Sequence, residues 1–480
     1  MQWIFGLAIY RLVLPLLFVA AFPGWVVKML RRGGLRTRLG ERAAIYGGVV
    51  KDEPRGAIHL HAVSVGEAML ALKLIREWQL RSPNQRFVLA TGTATGHAVA
   101  TAAKLPGLRV TYAPLDFPSM VRRYLKHFEP SQLVLVEGEA WPHLLLACRR
   151  RGIPVSLVNA RLSPRSSARY LRFAAWVRPL FGLVDALAIQ DPRDAAIWQR
   201  LGVDPGKIHL TGSLKIDPGS GQPPTYRPAF QSLLCALAGP GSTRPIILAA
   251  STHPGEEAWI AAAIRDAVPH ALMLIVPRHA ERRAQVKADL ERCGFEVVLR
   301  STMPEEREES GRPVRFDPMS TVFEETQHRA GCQDHSGGGI LPAAILPLPA
   351  GVSPSDRPLP CLVIDTTGEL CDWTAHADVV IIGKSFLATG GQNPCEAILA
   401  AKPVICGPHM ENFQPLAASL LTAHAAFTAS DPASLSAAIR RALDPAEAHA
   451  VTTRATALLQ PHHGATRRIV ALLTNPLKSE

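Results

Sequence analysis

From Ala57 onward the chain repeats one device, a short apolar run followed by a helical pattern, and it does so in two separate series. In the first, "AIHLHAVSV" leads to a helix predicted from Glu67 to about Arg81, and "RFVLATG" to one from Gly96 to about Lys104. "LRVTYAPL" leads to "FPSMVRRYLKHF", and "QLVLVEG" to "WPHLLLACRRRG". "IPVSLVN" follows, then "LVDALAIQ" with "PRDAAIWQRLG". Strands that read as continuous apolar runs, each followed by a helix, belong to parallel sheets covered on both faces. The Pro/Gly-rich stretch "DPGSGQPPTYRP" then reads as a linker. Beyond it the alternation resumes with "RPIILAAST", "ALMLIVPRH", "PCLVIDTTG", "DVVIIGKSF" and "KPVICGP". The 480 residues exceed what one core ordinarily serves. The pattern therefore predicts two doubly wound Rossmann-like α/β halves, whose ligands gather at the carboxyl ends of the strands.

Ahead of this lies "WIFGLAIYRLVLPLLFVAAF", Trp3 to Phe22, long enough to span a bilayer as a helix. Arg11 sits near its middle, where a charge costs roughly 2.5–3.5 kcal/mol on insertion scales. A full span and a shallow interfacial helix are both open. The basic flank of Lys28, Arg31, Arg32, Arg36 and Arg38 places the body of the protein in the cytosol and suits anionic lipid. A cleaved signal peptide fits less well, because Arg11 comes late for a charged leader and a basic cluster follows. The net charge of +12 calls for an anionic partner, whether nucleic acid, acidic lipid or a nucleotide-linked substrate. The eight cysteines form no C-x-x-C pair and read as buried thiols in a reducing compartment. Residues 302–359, with charge runs and many prolines, are expected to be a disordered or surface insertion without chemistry. The neighbouring Cys332, Asp334 and His335 lack a second ligand pair and are not read as a metal site.

Candidate chemistry collects on the strand ends. In "SVGE", Glu67 opens a helix directly after a strand, and in "LVLVEG", Glu137 ends another. One carboxylate at a helix start is an ordinary dipole arrangement. Two on one rim suggest acid/base work, with Glu67 deprotonating a hydroxyl and Glu137 orienting or stabilising the reacting centre. Lys215 in "TGSLKID" ends the first half and either offsets charge on a leaving phosphate or is a plain surface lysine. In the second half, Pro277 and Arg278 follow a strand, and Arg278 is either a fork that suits phosphate or a surface arginine at a helix start. Thr367, Gly368 and Glu369 occupy a strand-to-helix turn, where Glu369 either accepts from ribose hydroxyls or caps the helix. "GGQNPCEA" predicts an Asn393 cap, Pro394 at the first helical position, Cys395 behind it and Glu396 closing a capping box. The Gly390–Gly391 pair before it reads as room for a ligand to meet the backbone. His61, His97, His253 and His279 read as packing or surface residues.

Taken together, "HAVSVGE", "ATGTATG", "YAPLDFPSMVRRYL", "LVLVEGEAWP", "NARLSPRS", "TGSLKID", "ASTHPGEE", "VPRH", "DTTGEL", "GGQNPCEA" and "GPHMENF" resemble, in order and spacing, the 3-deoxy-D-manno-octulosonic acid (Kdo) transferases of lipopolysaccharide synthesis. The resemblance runs over almost the whole chain. It implies a GT-B fold, two Rossmann-like domains facing a cleft behind an N-terminal membrane-anchor helix. It also implies inverting transfer of Kdo from CMP-Kdo to a lipid A precursor at the cytoplasmic side of the inner membrane. CMP-Kdo, the lipid A precursor and an anionic membrane surface are then the partners, with no nucleic acid, no cofactor and no catalytic metal. By the same resemblance Glu67 is the general base, Glu137 and Lys215 support the transition state, and Pro277, Arg278, Thr367 to Glu369 and Asn393 to Glu396 hold CMP. The expected division is anchor and basic flank 1–35, acceptor domain 36–216, linker 217–242, CMP-sugar domain 243–430 and C-terminal helices 431–480. The chain departs from the family pattern at Gln392, Lys384, Gly138, Ala140 and the long insertion after Ser301, which bear on acceptor choice and the number of Kdo units added. The alternatives are another GT-B sugar-nucleotide enzyme, a UDP-sugar transferase or epimerase, and a non-catalytic lipid- or nucleotide-binding relative.

Overall fold

A computed structural model describes residues 2–31, 39–46, 54–138, 141–217, 224–239, 242–303, 359–414 and 416–474. The predicted insertion 302–359 and the Cys332–His335 cluster thus lie, but for the edges of the insertion, outside the described residues, as do Ala140 and most of the basic flank. Two compact units emerge, residues 1–221 with 461–480, and residues 222–460.

The first unit is built on seven strands: β1 (Ile58–Ala62), β2 (Phe87–Thr91), β3 (Leu108–Tyr112), β4 (Gln132–Val136), β5 (Val155–Ala160), β6 (Ala186–Ile189) and β7 (Ile208–Leu210). All pair in parallel in the order β3-β2-β1-β4-β5-β6-β7. Side chains alternate across the sheet, so Leu60, Leu89, Val134 and Val136 pack into one core while Val88, Ala90, Leu133 and Leu135 pack into another. Two buried faces explain why these strands carry no polar alternation. The helix Ala465–Thr474, late in sequence, lays Ile469, Val470 and Leu473 into the first of these cores. Buried Asp217 holds its start, accepting from the Gly464 and Thr466 N–H groups (2.9 and 2.6 Å) and the Thr466 hydroxyl (2.5 Å).

The second unit repeats the plan with β8 (Ile246–Thr252), β9 (Leu272–Pro277), β10 (Phe295–Leu299), β11 (Leu359–Val363), β12 (Val379–Ile382), β13 (Val404–Cys406) and β14 (Phe427–Thr428). The order is β10-β11-β9-β8-β12-β13-β14, again with parallel pairing. Strand order reverses direction between β1 and β4 in one unit and between β8 and β12 in the other. Loops diverge at such switch points and leave a crevice at the carboxyl ends of the strands.

The N-terminal helix Gln2–Arg31 is long and apolar enough to cross a membrane. It also makes polar contacts within the first unit. The Tyr10 hydroxyl donates to Asp116 Oδ2 (2.9 Å), and Arg11 Nε approaches His143 Nε2 at 3.4 Å. Phe18 meets Phe117 edge-on, and Gly6 lies against the Trp176 ring. Leu12, Leu16, Leu17 and Val19 are left at 61–72% exposure. The mid-helix Arg11 is thus directed at a protein partner. All seven described cysteines are free thiols.

Candidate active site at the strand ends

In the first unit, β1 runs into Ser64, whose extended backbone and side chain cap the helix Val65–Arg81. Ser64 Oγ accepts from the Glu67 N–H (3.2 Å) and donates to Glu67 Oε1 (2.7 Å). Glu67 Oε2 accepts from the Val63 N–H (2.8 Å). Ser64 and the first-turn acid thus hold each other, but the backbone N–H that the acid takes is that of Val63 and not, as in a capping box, that of the cap residue. Glu67 is only 8% exposed, and both its oxygens are engaged. The end of β2 is tied to the same turn, because the Gly92 N–H donates to Val63 O, and Thr93 caps the next helix through the Gly96 N–H.

Glu137 follows β4, the strand beside β1. Its backbone is left-handed (φ +70°) and its N–H donates to Val158 O of β5 (2.9 Å). Lys215 Nζ lies 2.8 Å from Glu137 Oε1, although no well-aligned hydrogen bond reaches that oxygen. Lys215 rides on the turn 213–217. That turn is pinned by Ser213 N–H to His462 Nδ1 (3.2 Å), by Leu214 N–H to Asn159 Oδ1 (2.9 Å), and by Lys73 Nζ to Leu214 O (2.9 Å). The fold therefore unites Glu137 and Lys215, which are 78 residues apart in sequence, as an ion pair. Glu67 shares their end of the sheet without a hydrogen bond or ion pair to either.

In the second unit, buried Glu256 knits the switch point. Its carboxylate accepts from the His253 N–H (3.0 Å) after β8 and from the Lys384 and Phe386 N–H groups (2.7 and 3.3 Å) after β12. Ser251 and Lys384 are both left-handed there (φ +58° and +57°). Gly383 permits the approach, since a Cβ on it would lie 2.5 Å from Ser251 O. Arg278, Asn393 and Glu396 line one small cavity of about 80 Å³ here, with Ser251 and Gln392. Burial raises the Glu396 carboxyl above its ordinary range. Burial lowers His253, which stands 3.3 Å from Gln392 Nε2.

The remaining expected residues fall differently. Pro277 is the buried last residue of β9. Thr367 and Gly368 are exposed, Gly368 at φ +92°. Glu369 is committed to Arg300, to the Thr366 hydroxyl (2.6 Å) and to Trp373 Nε1 (3.1 Å). The expected capping box at Asn393 does not form. The helix is only Cys395–Leu399, and Pro394 itself occupies the cap position in right-handed backbone. Asn393 Oδ1 instead accepts from the Cys395 N–H two residues on (3.1 Å), an Asx turn. Gly390 and Gly391 are packed closely against protein. Side chains on them would strike Asn412 Nδ2 (2.6 Å) and Met410 Sδ (2.5 Å). A larger cavity of about 240 Å³ beside Phe427 sits at the β14 edge, and its cations are already bound, Arg441 to Glu447 and Arg454 to His424 O.

Ser64, Asn159 and Glu256 carry no role in the sequence reading. The first was readable as Ser-x-x-Glu before an apolar run; the other two act through contacts far along the chain.

Comparison with known proteins adds to this geometry. Residues 37–218 match a family described as 3-deoxy-D-manno-octulosonic-acid transferase (kdotransferase). The chain is 32% identical to the 3-deoxy-D-manno-octulosonic acid transferase of Bordetella pertussis, over 98% of this chain and 99% of that one. It is 30% identical to the enzyme of the same name from Haemophilus influenzae, over 79% of this chain and 76% of that one. Among solved structures, a putative UDP-N-acetylglucosamine 2-epimerase from Listeria monocytogenes is similar in fold. Its TM-score is 0.51 at 12% identity, over 87% of this chain and 96% of that one.

Proposed function

We propose, for a chain that belongs to the 3-deoxy-D-manno-octulosonic acid (Kdo) transferase family, a glycosyltransferase of lipopolysaccharide synthesis, that Kdo passes from CMP-Kdo to a lipid A precursor by a single inverting displacement. The observation that carries this reading is the Glu137–Lys215 pair beside the Glu67 strand end, on residues that the family match covers.

An acceptor hydroxyl oxygen attacks the anomeric carbon of Kdo. The new carbon–oxygen bond forms as the bond from that carbon to the CMP phosphate breaks, and CMP leaves with the bonding electrons. Glu67 takes the hydroxyl proton on Oε1. It becomes available when the Ser64 hydroxyl, a free rotor, turns away, while Val63 N–H keeps the carboxylate in place through Oε2. Apo hydrogen bonds of this kind tighten or exchange when substrate arrives. Lys215, held by Glu137, supplies a fixed positive charge where negative charge develops. The nucleotide falls to the second unit, with Arg278 toward its phosphate and Asn393 and Glu396 in the adjoining cavity. Glu369, Gly368, Thr367, Pro277, Pro394 and Cys395 shape that ground without facing the cavity.

The exposed Leu12, Leu16, Leu17 and Val19 stripe, together with the net charge of +12, supports work at an anionic membrane surface, on the cytoplasmic side of the inner membrane. The test of the donor is nucleotide preference. CMP should bind the full chain and raise its melting temperature, with UDP far weaker. Preference for UDP would overturn the CMP reading in favour of another sugar nucleotide.

A further inference from the structure

Asn159 has 0% exposure and lies in β5 with left-handed backbone (φ +54°), where the pairing of β5 with β6 slips register between Leu157 and Ala160. Left-handed backbone inside a strand is costly for most side chains and tolerated best by Asn, Asp and Gly. Such strain persists where the surroundings hold it, and it gathers at functional sites. Here it occurs twice on neighbouring strands, at Asn159 and at Glu137 (φ +70°). The two are adjacent in space, because Glu137 N–H donates to Val158 O.

The Asn159 side chain reaches the other half of the pair. Its Oδ1 accepts from the Leu214 N–H at 2.9 Å, one residue before Lys215, which fixes the amide's orientation. Its backbone carbonyl accepts from Gln190 Nε2 (2.8 Å), holding the strained residue from the opposite side. The Asn159 Nδ2 donor is buried with no partner. A buried amide left half-satisfied is a poor choice for cohesion alone.

We propose that Asn159 is a positioning residue that sets Lys215 against Glu137: one short side chain, on the strand that pairs with the Glu137 strand, fixes the turn that carries the lysine. This rests on the reading of Lys215 and Glu137 as parts of the transferase site. Asn is required for two reasons together, tolerance of the left-handed backbone and a side-chain acceptor at that reach. Glycine supplies only the first, and Asp supplies both.

The test uses the full chain as Asn159→Gly, Asn159→Asp, Lys215→Ala and the Asn159→Gly/Lys215→Ala double variant. Crystal structures should show the 2.8 Å Lys215–Glu137 contact opened beyond hydrogen-bond range in Asn159→Gly and kept in Asn159→Asp. Turnover should fall roughly 10- to 100-fold in Asn159→Gly with KM for the donor little changed, as for misplaced catalytic groups generally. Asn159→Asp should recover most of it, and Asn159→Gly should cost nothing further once Lys215 is alanine. A retained contact in Asn159→Gly, or an equal loss in both backgrounds, overturns the proposal. Unchanged turnover in Lys215→Ala alone would instead remove Lys215 from the transferase reading, while the contact distance still decides what Asn159 does.

Discussion

Glu67 has two jobs in this account, helix cap and base, and isosteric replacement separates them. Glu67→Ala strips the acceptors from the Val63 N–H and the Ser64 hydroxyl. The Ser64 cap on the residue-67 N–H survives this change, but loss of the hydrogen bond from the Ser64 hydroxyl costs about 1 kcal/mol and the buried Val63 donor left without a partner about 1–3 kcal/mol. The sum, about 2–4 kcal/mol, lowers the melting temperature by roughly 5–15 °C for a unit of this size. Glu67→Gln keeps an oxygen for Val63 N–H, and the Ser64 hydroxyl rotates to accept from the new amide. Its stability cost is therefore about 1 kcal/mol or less. A neutral amide cannot take a proton, so turnover should drop about 10²- to 10⁴-fold in both variants. The assay pairs thermal denaturation with the initial rate of CMP release from CMP-Kdo in the presence of acceptor. Glu67→Gln should melt like the wild type and be nearly inert. If it turned over within a few-fold of the wild type, Glu67 would be a cap and nothing more, and the base would have to be sought elsewhere.

Three further outcomes follow from the same geometry. Glu137→Gln removes the charge opposite Lys215 and should lower kcat about 10²- to 10³-fold, yet shift stability by about 1 kcal/mol or less because the Lys215 side chain is 32% exposed; calorimetry and kinetics on one sample check both. Gly383→Ala would place a methyl 2.5 Å from Ser251 O and 2.7 Å from Thr252 Cα, backbone that cannot move aside. It should cost about 2–3 kcal/mol and weaken CMP binding, measured by urea unfolding and calorimetric titration. Burial holds His61 down to about 4. An unfolded histidine takes a proton below about pH 6.5 while the folded one does not, so His61 alone should remove about 3 kcal/mol of stability as pH drops from about 6.5 towards 4, beside the losses from His59 and His376, which burial lowers in the same sense. His61→Leu should flatten that part of the urea-midpoint profile against pH.

The two sheets were readable because a strand buried on both faces must be apolar throughout, and fourteen strands are described. Glu67 and Glu137 were readable as strand-end acids because parallel order brings carboxyl ends to one edge. The pairing of Glu137 with Lys215 was not, since it depends on a turn held by Asn159, His462 and Lys73 from three other parts of the chain. The left-handed backbone at Glu137, Ser251 and Lys384 had no signal either, because none of the three is glycine or asparagine. Local motifs misled where packing intervened. Gly390–Gly391 owes its glycines at least in part to Met410 and Asn412, which no local motif announces, and Asn393 moved one place out from the cap once Pro394 took it. The apolar N-terminus was legible in length but not in orientation, which Tyr10 and Arg11 set through Asp116 and His143.

The most direct measurement incubates the full chain with freshly generated CMP-Kdo and a tetraacylated lipid A precursor and reads the acceptor mass. The acceptor should gain one or more Kdo masses, with CMP released in equal number. An acceptor of unchanged mass beside intact CMP-Kdo, from chain shown to be folded, would contradict it.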